Sequence, residues 1–138
     1  MDVFTKEKRS QIMSKIKGKD TKPEKVVRSL LHQMGYRFRL HRRDLPGNPD
    51  IVLPKYKKII FVHGCFWHGH EDCPRAKRPS TNKKFWDEKL SKNIERDKKN
   101  QCELGKLGWQ LLVVWQCQIK DINNLIEKII KFINKPIN

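Results

Sequence analysis

A short segment of the chain, residues 59–73, concentrates residue types that bind metals and transfer protons. It begins with an apolar run at 59–62 that is typical of a fully buried strand. The next eleven residues contain three histidines, two cysteines and an aromatic pair: His63, His68, His70, Cys65, Cys73, Phe66 and Trp67. A core strand does not need this density of imidazole and thiol groups. The segment therefore indicates a site that binds metal, moves protons and contacts a flat substrate.

The cysteines and one histidine have the spacing of a metal site. Cys65-x4-His70-x2-Cys73 is a local cluster of ligand type, and Cys117, just beyond a predicted strand, can supply the fourth ligand. Zinc takes four such nitrogen and sulfur ligands in tetrahedral structural sites, and residues 64–80 contain too little apolar material to pack a core of their own. The alternative is a set of ordinary buried thiols with unrelated histidines. Cys102 lies within a helical pattern and is expected only to pack.

Asp50 and two histidines could support phosphodiester hydrolysis. Asp50 follows a turn at 45–49 and begins a strand, which favours it as a Mg²⁺ ligand, because Mg²⁺ prefers one or two carboxylates plus waters. A hairpin with the next strand would bring the backbone carbonyl of Val62 near the same ion, and His63 and His68 can exchange protons near neutral pH. The alternative is that Asp50 only caps a turn.

The elements that must position these residues follow from hydrophobic periodicity. A helix is predicted from the capping-box sequence at 21–24 to a stop at Gly35, with Glu24 completing its cap by default. Further elements are predicted as strands at 36–41, 50–53, 58–63 and 109–115, a helix at 82–104 closed by Gly105 and Gly108, and a last helix capped by Asp121. This order predicts an α/β fold with a mixed sheet flanked by helices.

Composition limits the partners. The 138-residue chain has a formal charge of +16 and a pI near 10.0, which favours nucleic acid over a merely soluble basic surface. A membrane partner is not expected, because no apolar run approaches the roughly 20 residues that span a bilayer. The charged N-terminus resembles no signal peptide, so we expect a cytoplasmic protein whose four cysteines serve metal binding or chemistry before disulfides.

We expect one compact domain at 21–138 preceded by a basic arm at 1–20. Residues 5–17 can form a helix with Ile12, Met13 and Ile16 on one face and basic residues on the others. This helix is either solvated or laid on DNA.

Several segments together resemble the very short patch repair endonuclease family. The resemblance runs from the N-terminal RSQIMSKIKGKDTKPE to Cys117, and its segments include PGNPDIV, IIFVHGCFWHGH with Cys73, FWDEKLSKNIERD and GWQLLVVWQC. It implies a restriction-endonuclease-like nuclease with structural zinc and catalytic Mg²⁺. It also implies nicking of one strand 5′ to the thymine of a T:G mismatch left by 5-methylcytosine deamination, in association with a DNA cytosine-5 methyltransferase. A monomer associated with the nucleoid is expected.

The resemblance also implies roles for individual residues. Asp50 is the Mg²⁺ ligand beside the Val62 carbonyl, His68 activates the attacking water and His63 assists it, while Glu24 and Asp97 belong to the outer active site. The zinc ligands are Cys65, His70, Cys73 and Cys117, and the DNA-intercalating residues are Phe66, Trp67, Trp86 and, from the N-terminal arm, Met13.

The chain departs from its relatives in two places. The wider nuclease superfamily often has an acidic-x-Lys pair where Val62, His63 and Gly64 stand here, so a histidine must position the water. Glu71 and Asp72 also make the spacing between His70 and Cys73 longer than is usual in the family.

Two other functions compete with this reading. A zinc-bearing DNA-binding module would lack catalysis, and a general nuclease would cut matched duplex equally well. For Phe66 and Trp67 the alternative is core packing, although a wedge beside a weakly stacked T:G pair would read its deformability.

Overall fold

The computed structural model describes residues 21–136 of the chain. Within these residues, three α-helices and four strands occur in the predicted order. They are α1 (Lys22–Gln33), β1 (Arg39–Leu40), β2 (Ile51–Leu53), β3 (Lys58–His63), α2 (Lys83–Lys106), β4 (Gln110–Trp115) and α3 (Ile122–Asn134). The predicted arm at 1–20, with Met13, lies outside the described residues.

The strands form one mixed sheet in the order β1-β2-β3-β4. β1 pairs antiparallel with β2, and β2 pairs antiparallel with β3, because only the short turn at Pro54–Tyr56 joins them. β3 pairs parallel with β4 through the crossover that contains α2. The hairpin places the start of β2 beside the end of β3, which is where Asp50 and His63 stand.

Helices cover both faces of the sheet, which confirms the predicted α/β arrangement. Alternate residues of β2 and β3 point to opposite faces, so that Ile51 and Ile60 pack with α1 and α3. Val52 and Ile59 pack on the other face with residues from the end of α2. Within the part of the chain that the structure describes, no helix has the length and apolar character needed to cross a membrane.

Three local predictions were wrong. The strand predicted at 36–41 is reduced to Arg39–Leu40, in which Leu40 is 39% exposed, and it ends before His41, whose φ is +50°. Gly105 lies inside α2 and does not end it; Gly108, at φ +92°, follows the helix end. Cys102 does not pack in the interior but is exposed on α2.

Candidate active site and metal centre

Asp50 stands at the junction between the turn and β2, with its carboxylate directed at the end of β3. The Val62 N–H donates to Asp50 Oδ2 at 2.9 Å. Burial raises the pKa of Asp50 to about 7, the Val62 N–H opposes this, and the nearby Glu24 carboxyl raises the pKa further. Because the N–H and C=O of one strand residue point to the same side, the Val62 carbonyl faces the Asp50 side as well.

Glu24 makes contacts beyond the cap predicted for it. The Thr21 hydroxyl accepts from the Glu24 N–H at 3.4 Å and so caps α1. The Glu24 carboxylate is buried, forms an ion pair with Arg28 one turn later, and lies 3.4 Å from His41 Nε2. One ligand atom each of Glu24, His41 and Asp50 lies within 4.8 Å of the others, a grouping that could hold a cation.

His68 is oriented by Asp97 of α2. Asp97 Oδ2 lies 2.6 Å from His68 Nδ1, so the carboxylate accepts a proton held at Nδ1 and leaves Nε2 as the basic atom. The His63 ring stacks on the His68 ring with centroids 3.8 Å apart. Burial lowers the pKa of His63 to about 4, which keeps this ring neutral near pH 7.

The side chains proposed for catalysis, other than Glu24, face one cavity of about 840 Å³. Its lining includes Asp50, His63, His68 and Asp97, together with the aromatic rings of Phe66 and Trp67 and polar side chains of α2. Asp50, at the start of β2, and His68, in the loop that follows β3, therefore face the same cavity.

The four predicted zinc ligands also come together. One ligand atom each of Cys65, His70, Cys73 and Cys117 lies within 4.8 Å of the others. Cys117 Sγ and His70 Nδ1 are 3.5 Å apart, close to the roughly 3.6 Å that tetrahedral zinc sets between a sulfur and a nitrogen ligand. Asp72, between His70 and Cys73, adopts φ +54°, a left-handed conformation that aspartate tolerates.

The Cys65 thiol is held in its protonated form by its surroundings. Cys65 is fully buried, and burial raises the pKa of its thiol to about 11. A bound metal would supply the missing positive charge and displace the proton. The donor set and its spacing therefore fit a structural metal.

A glycine turn separates the metal cluster from the cavity. Gly69 has φ +64°, and a Cβ built on it would lie 2.5 Å from Ile94 of α2, so only glycine fits without a shift. The turn directs His68 to the cavity and His70 to the cysteines. Trp115 contacts both sides, since its ring stacks on His70 at 4.2 Å and meets His63 edge-on at 5.3 Å.

The aromatic residues predicted to enter DNA form a cluster of their own. Phe66 contacts Trp67 and Trp86 with ring centroids 5.2 and 5.4 Å away, and Phe85 extends the cluster as a 56% exposed side chain. Phe66 and Trp67 line the cavity, Trp86 packs against Phe66, and all three are half-buried and stand apart from the two cores of the sheet. Core packing therefore does not account for them.

Sequence reasoning missed several residues at the site. Arg28 and His41 were not singled out, although Arg28 follows Glu24 by one helical turn, which is a spacing that favours ion pairs. Asn93 donates to the Trp67 carbonyl at 3.2 Å and ties the aromatic loop to α2. Trp115 was recognised only as a strand residue. No periodic signal identifies His41 or Asn93.

The chain resembles proteins of known family along almost its whole length. Residues 1–75 match the family model of the DNA mismatch endonuclease Vsr. The chain is 43% identical to the DNA mismatch endonuclease Vsr of Escherichia coli over 127 residues, covering 92% of this chain and 81% of that protein. It is 48% identical to a type II nicking enzyme of Xanthomonas oryzae over 90% of both chains, and 47% identical to one of Neisseria meningitidis over 93% and 96%. The resemblance found in the motifs is thus confirmed, and the chain belongs to the Vsr family of DNA mismatch endonucleases.

Proposed function

We propose that the protein nicks one strand of duplex DNA 5′ to the thymine of a T:G mismatch, by Mg²⁺-dependent hydrolysis. The observation that carries this proposal is the shared cavity of Asp50 and His68, with His68 fixed by Asp97. A carboxylate facing an oriented imidazole across a cavity open to a phosphate is the arrangement that phosphodiester hydrolysis needs.

His68 acts as the general base. The hydrogen bond that His68 Nδ1–H donates to Asp97 fixes the proton on Nδ1, so Nε2 takes the proton from the attacking water and the Asp97 carboxylate stabilises the imidazolium that results. The neutral His63 ring, stacked against His68, restricts its rotation. Glu24, buried beside Asp50, adds negative charge to the outer shell of the site.

Asp50 and the Val62 carbonyl would hold the Mg²⁺ ion. Two carboxylates lie close together in a partly buried place, which raises the pKa of Asp50 and fits a divalent cation. A Mg²⁺ ion held there would supply the positive charge that polarises the scissile phosphate and stabilises the leaving oxygen.

Cys65, His70, Cys73 and Cys117 would hold a structural zinc ion. The spacing of these residues supports this assignment. Because Trp115 contacts both His70 and His63, a zinc ion that fixes the loop would also restrict the motion of the catalytic histidines. We expect metal analysis of the purified protein to give about one equivalent of zinc; none would refute the assignment.

Mismatch selection is assigned to the aromatic cluster. Phe66 and Trp67, backed by Trp86, would enter the duplex beside the T:G pair, where unstacking is easier than at a normal pair. The basic arm at 1–20, with Met13, would enter from the opposite groove. We propose a monomeric cytoplasmic enzyme that acts beside a DNA cytosine-5 methyltransferase, whose product creates the lesion on deamination.

The experiment compares nicking and binding in two variants. We expect Asp50→Ala and His68→Ala to abolish nicking of a T:G duplex in Mg²⁺ while binding is largely retained, because neither residue belongs to the aromatic cluster. Retained nicking would refute the catalytic roles and favour a DNA-binding module. Asp44→Ala is the matched control, since Asp44 is an exposed aspartate paired with Arg42.

Substrate choice needs a separate comparison. Duplexes that differ only in carrying T:G or a normal pair are incubated with the wild-type protein. We expect nicking of the T:G duplex alone. Equal cleavage of both would favour a general nuclease.

A further inference from the structure

Arg28 and His41 form a polar bridge beside the two carboxylates of the active site. Arg28 Nη2 pairs with Glu24 Oε2 and lies 2.9 Å from His41 Nε2. A guanidinium can only donate hydrogen bonds, so His41 Nε2 is the acceptor in this contact. One Arg28 nitrogen is thus held between α1 and the end of β1.

His41 also contacts Asp50 through its backbone. Its N–H donates to the Asp50 carbonyl at 3.1 Å, and its φ of +50° is left-handed, a conformation that is uncommon outside glycine but that histidine tolerates better than most residues. The main chain of His41 therefore fixes Asp50, while its side chain fixes Arg28 against Glu24. Through His41, the Arg28–Glu24 ion pair is therefore connected to the main chain of Asp50.

The charge of this cluster follows directly. When both are ionised, Asp50 and Glu24 contribute two negative charges to a group of ligand atoms that lie within 4.8 Å of one another. Arg28 returns one positive charge at a buried contact, where its side chain is 17% exposed and that of Glu24 is 3% exposed. Affinity for a hard divalent cation is set by ligand charge and rigidity, so a fixed guanidinium at this point must weaken cation binding.

We propose that Arg28, positioned by His41, is the built-in counter-charge of the cation site. It keeps Glu24 paired and limits the affinity of the free protein for divalent cations, so that Mg²⁺ binds firmly only when a DNA phosphate adds its own negative charge. Arg28 is a positioning residue, because it acts through Glu24. The proposal rests on the proposed role of Asp50 as the Mg²⁺ ligand.

The test measures Mg²⁺ binding without DNA, by calorimetry on zinc-loaded protein. We expect Arg28→Met to bind Mg²⁺ at least about tenfold more tightly than wild type, because one positive charge has left the site. Arg28→Lys retains the charge and is expected to stay within about threefold of wild type. Arg37→Met removes an equal charge from an exposed residue that follows α1, and is expected to leave Mg²⁺ binding unchanged.

The outcomes separate this inference from the proposed function. Asp50→Asn should lose Mg²⁺ binding; unchanged binding in that variant would overturn the cation site and this inference with it. If Asp50→Asn loses binding but Arg28→Met binds as wild type or more weakly, Arg28 is only a structural ion pair and the inference alone is wrong. Should Arg28→Met fail to fold, Arg28→Gln removes the same charge, keeps a hydrogen-bond donor, and is held to the same tenfold expectation.

Discussion

Replacing Asp50 by asparagine should stabilise the protein when no divalent cation is present, although it removes the proposed catalytic ligand. Burial and Glu24 hold the pKa of Asp50 at about 7, against 3.8 for an ordinary aspartate. That difference corresponds to about 4 kcal/mol of folding free energy at alkaline pH. Asp50 is only partly buried, and an amide oxygen accepts the Val62 N–H less strongly than a carboxylate, so we expect a net gain of about 2 kcal/mol.

The pH dependence has a definite sign. Because the folded protein holds the Asp50 proton more tightly than the unfolded chain does, the wild type is not penalised below about pH 4, where both states are protonated. It loses stability as the pH rises toward about 7, where the folded carboxyl ionises, and the full penalty applies above that. The advantage of Asp50→Asn should therefore be largest at pH 8 and shrink as the pH falls.

Urea unfolding of zinc-loaded protein between pH 5.5 and 8 measures this advantage. Adding Mg²⁺ should stabilise only the wild type and narrow the gap, because a ligand that binds the folded state adds to its stability. Asp44→Asn, at an exposed aspartate whose pKa is lowered by the hydrogen bonds that it accepts from Arg42, is the control and should gain no stability. An Asp50→Asn variant less stable than wild type at pH 8 would show that Asp50 is a structural turn cap.

Three other predictions concern the metal loop and the charged surface. Gly69→Ala should destabilise the protein by about 1–3 kcal/mol in urea unfolding, because Gly69 has a left-handed φ and the added methyl group would meet Ile94. Gly105→Ala is the control: it lies inside α2 with nothing within 4 Å of the added methyl group, and should stabilise the protein by about 0.5–1 kcal/mol. Equal effects at both positions would contradict a strained turn at Gly69. Cys117→Ser should lower both the zinc content and the thermal stability, and unchanged zinc in metal analysis would remove Cys117 from the ligand set. With a net charge of +16, DNA affinity should fall steeply with salt in a fluorescence titration, by a log–log slope of about −0.9 for each phosphate contacted; a flat response would mean that the basic surface does not face the DNA.

The order and type of the elements were predictable because they rest on local patterns. The continuous apolar runs of β2 and β3 indicate strands buried on both faces, and the apolar stripe of α3 indicates which side of that helix is buried. Glycine and the left-handed conformation explain the errors. Gly105 is tolerated inside a helix that has enough neighbouring turns, and the φ of His41 ends β1 early although no turn residue stands there.

The site was predictable in its parts and less so in its connections. Cysteines and histidines clustered in the sequence indicate a metal site, because few other structures require them so close together. The family resemblance identified Asp97 as an active-site residue. Its partner atom on His68 could not be predicted, because 29 residues separate the two in the chain and only the packing of α2 brings them to 2.6 Å.

The sequence alone determined the basic composition, the cluster of thiols and imidazoles, and the aspartate at the start of a strand. Each of these depends only on residue type and on near neighbours in the chain. The bridge of Arg28 and His41, the neutral His63 and the raised pKa of Asp50 come from contacts between α1, β1 and the β2–β3 hairpin. Burial and long-range proximity set these properties, because a charge depends on the dielectric and on the other charges around it. Burial and long-range proximity arise only when the helices pack on the sheet.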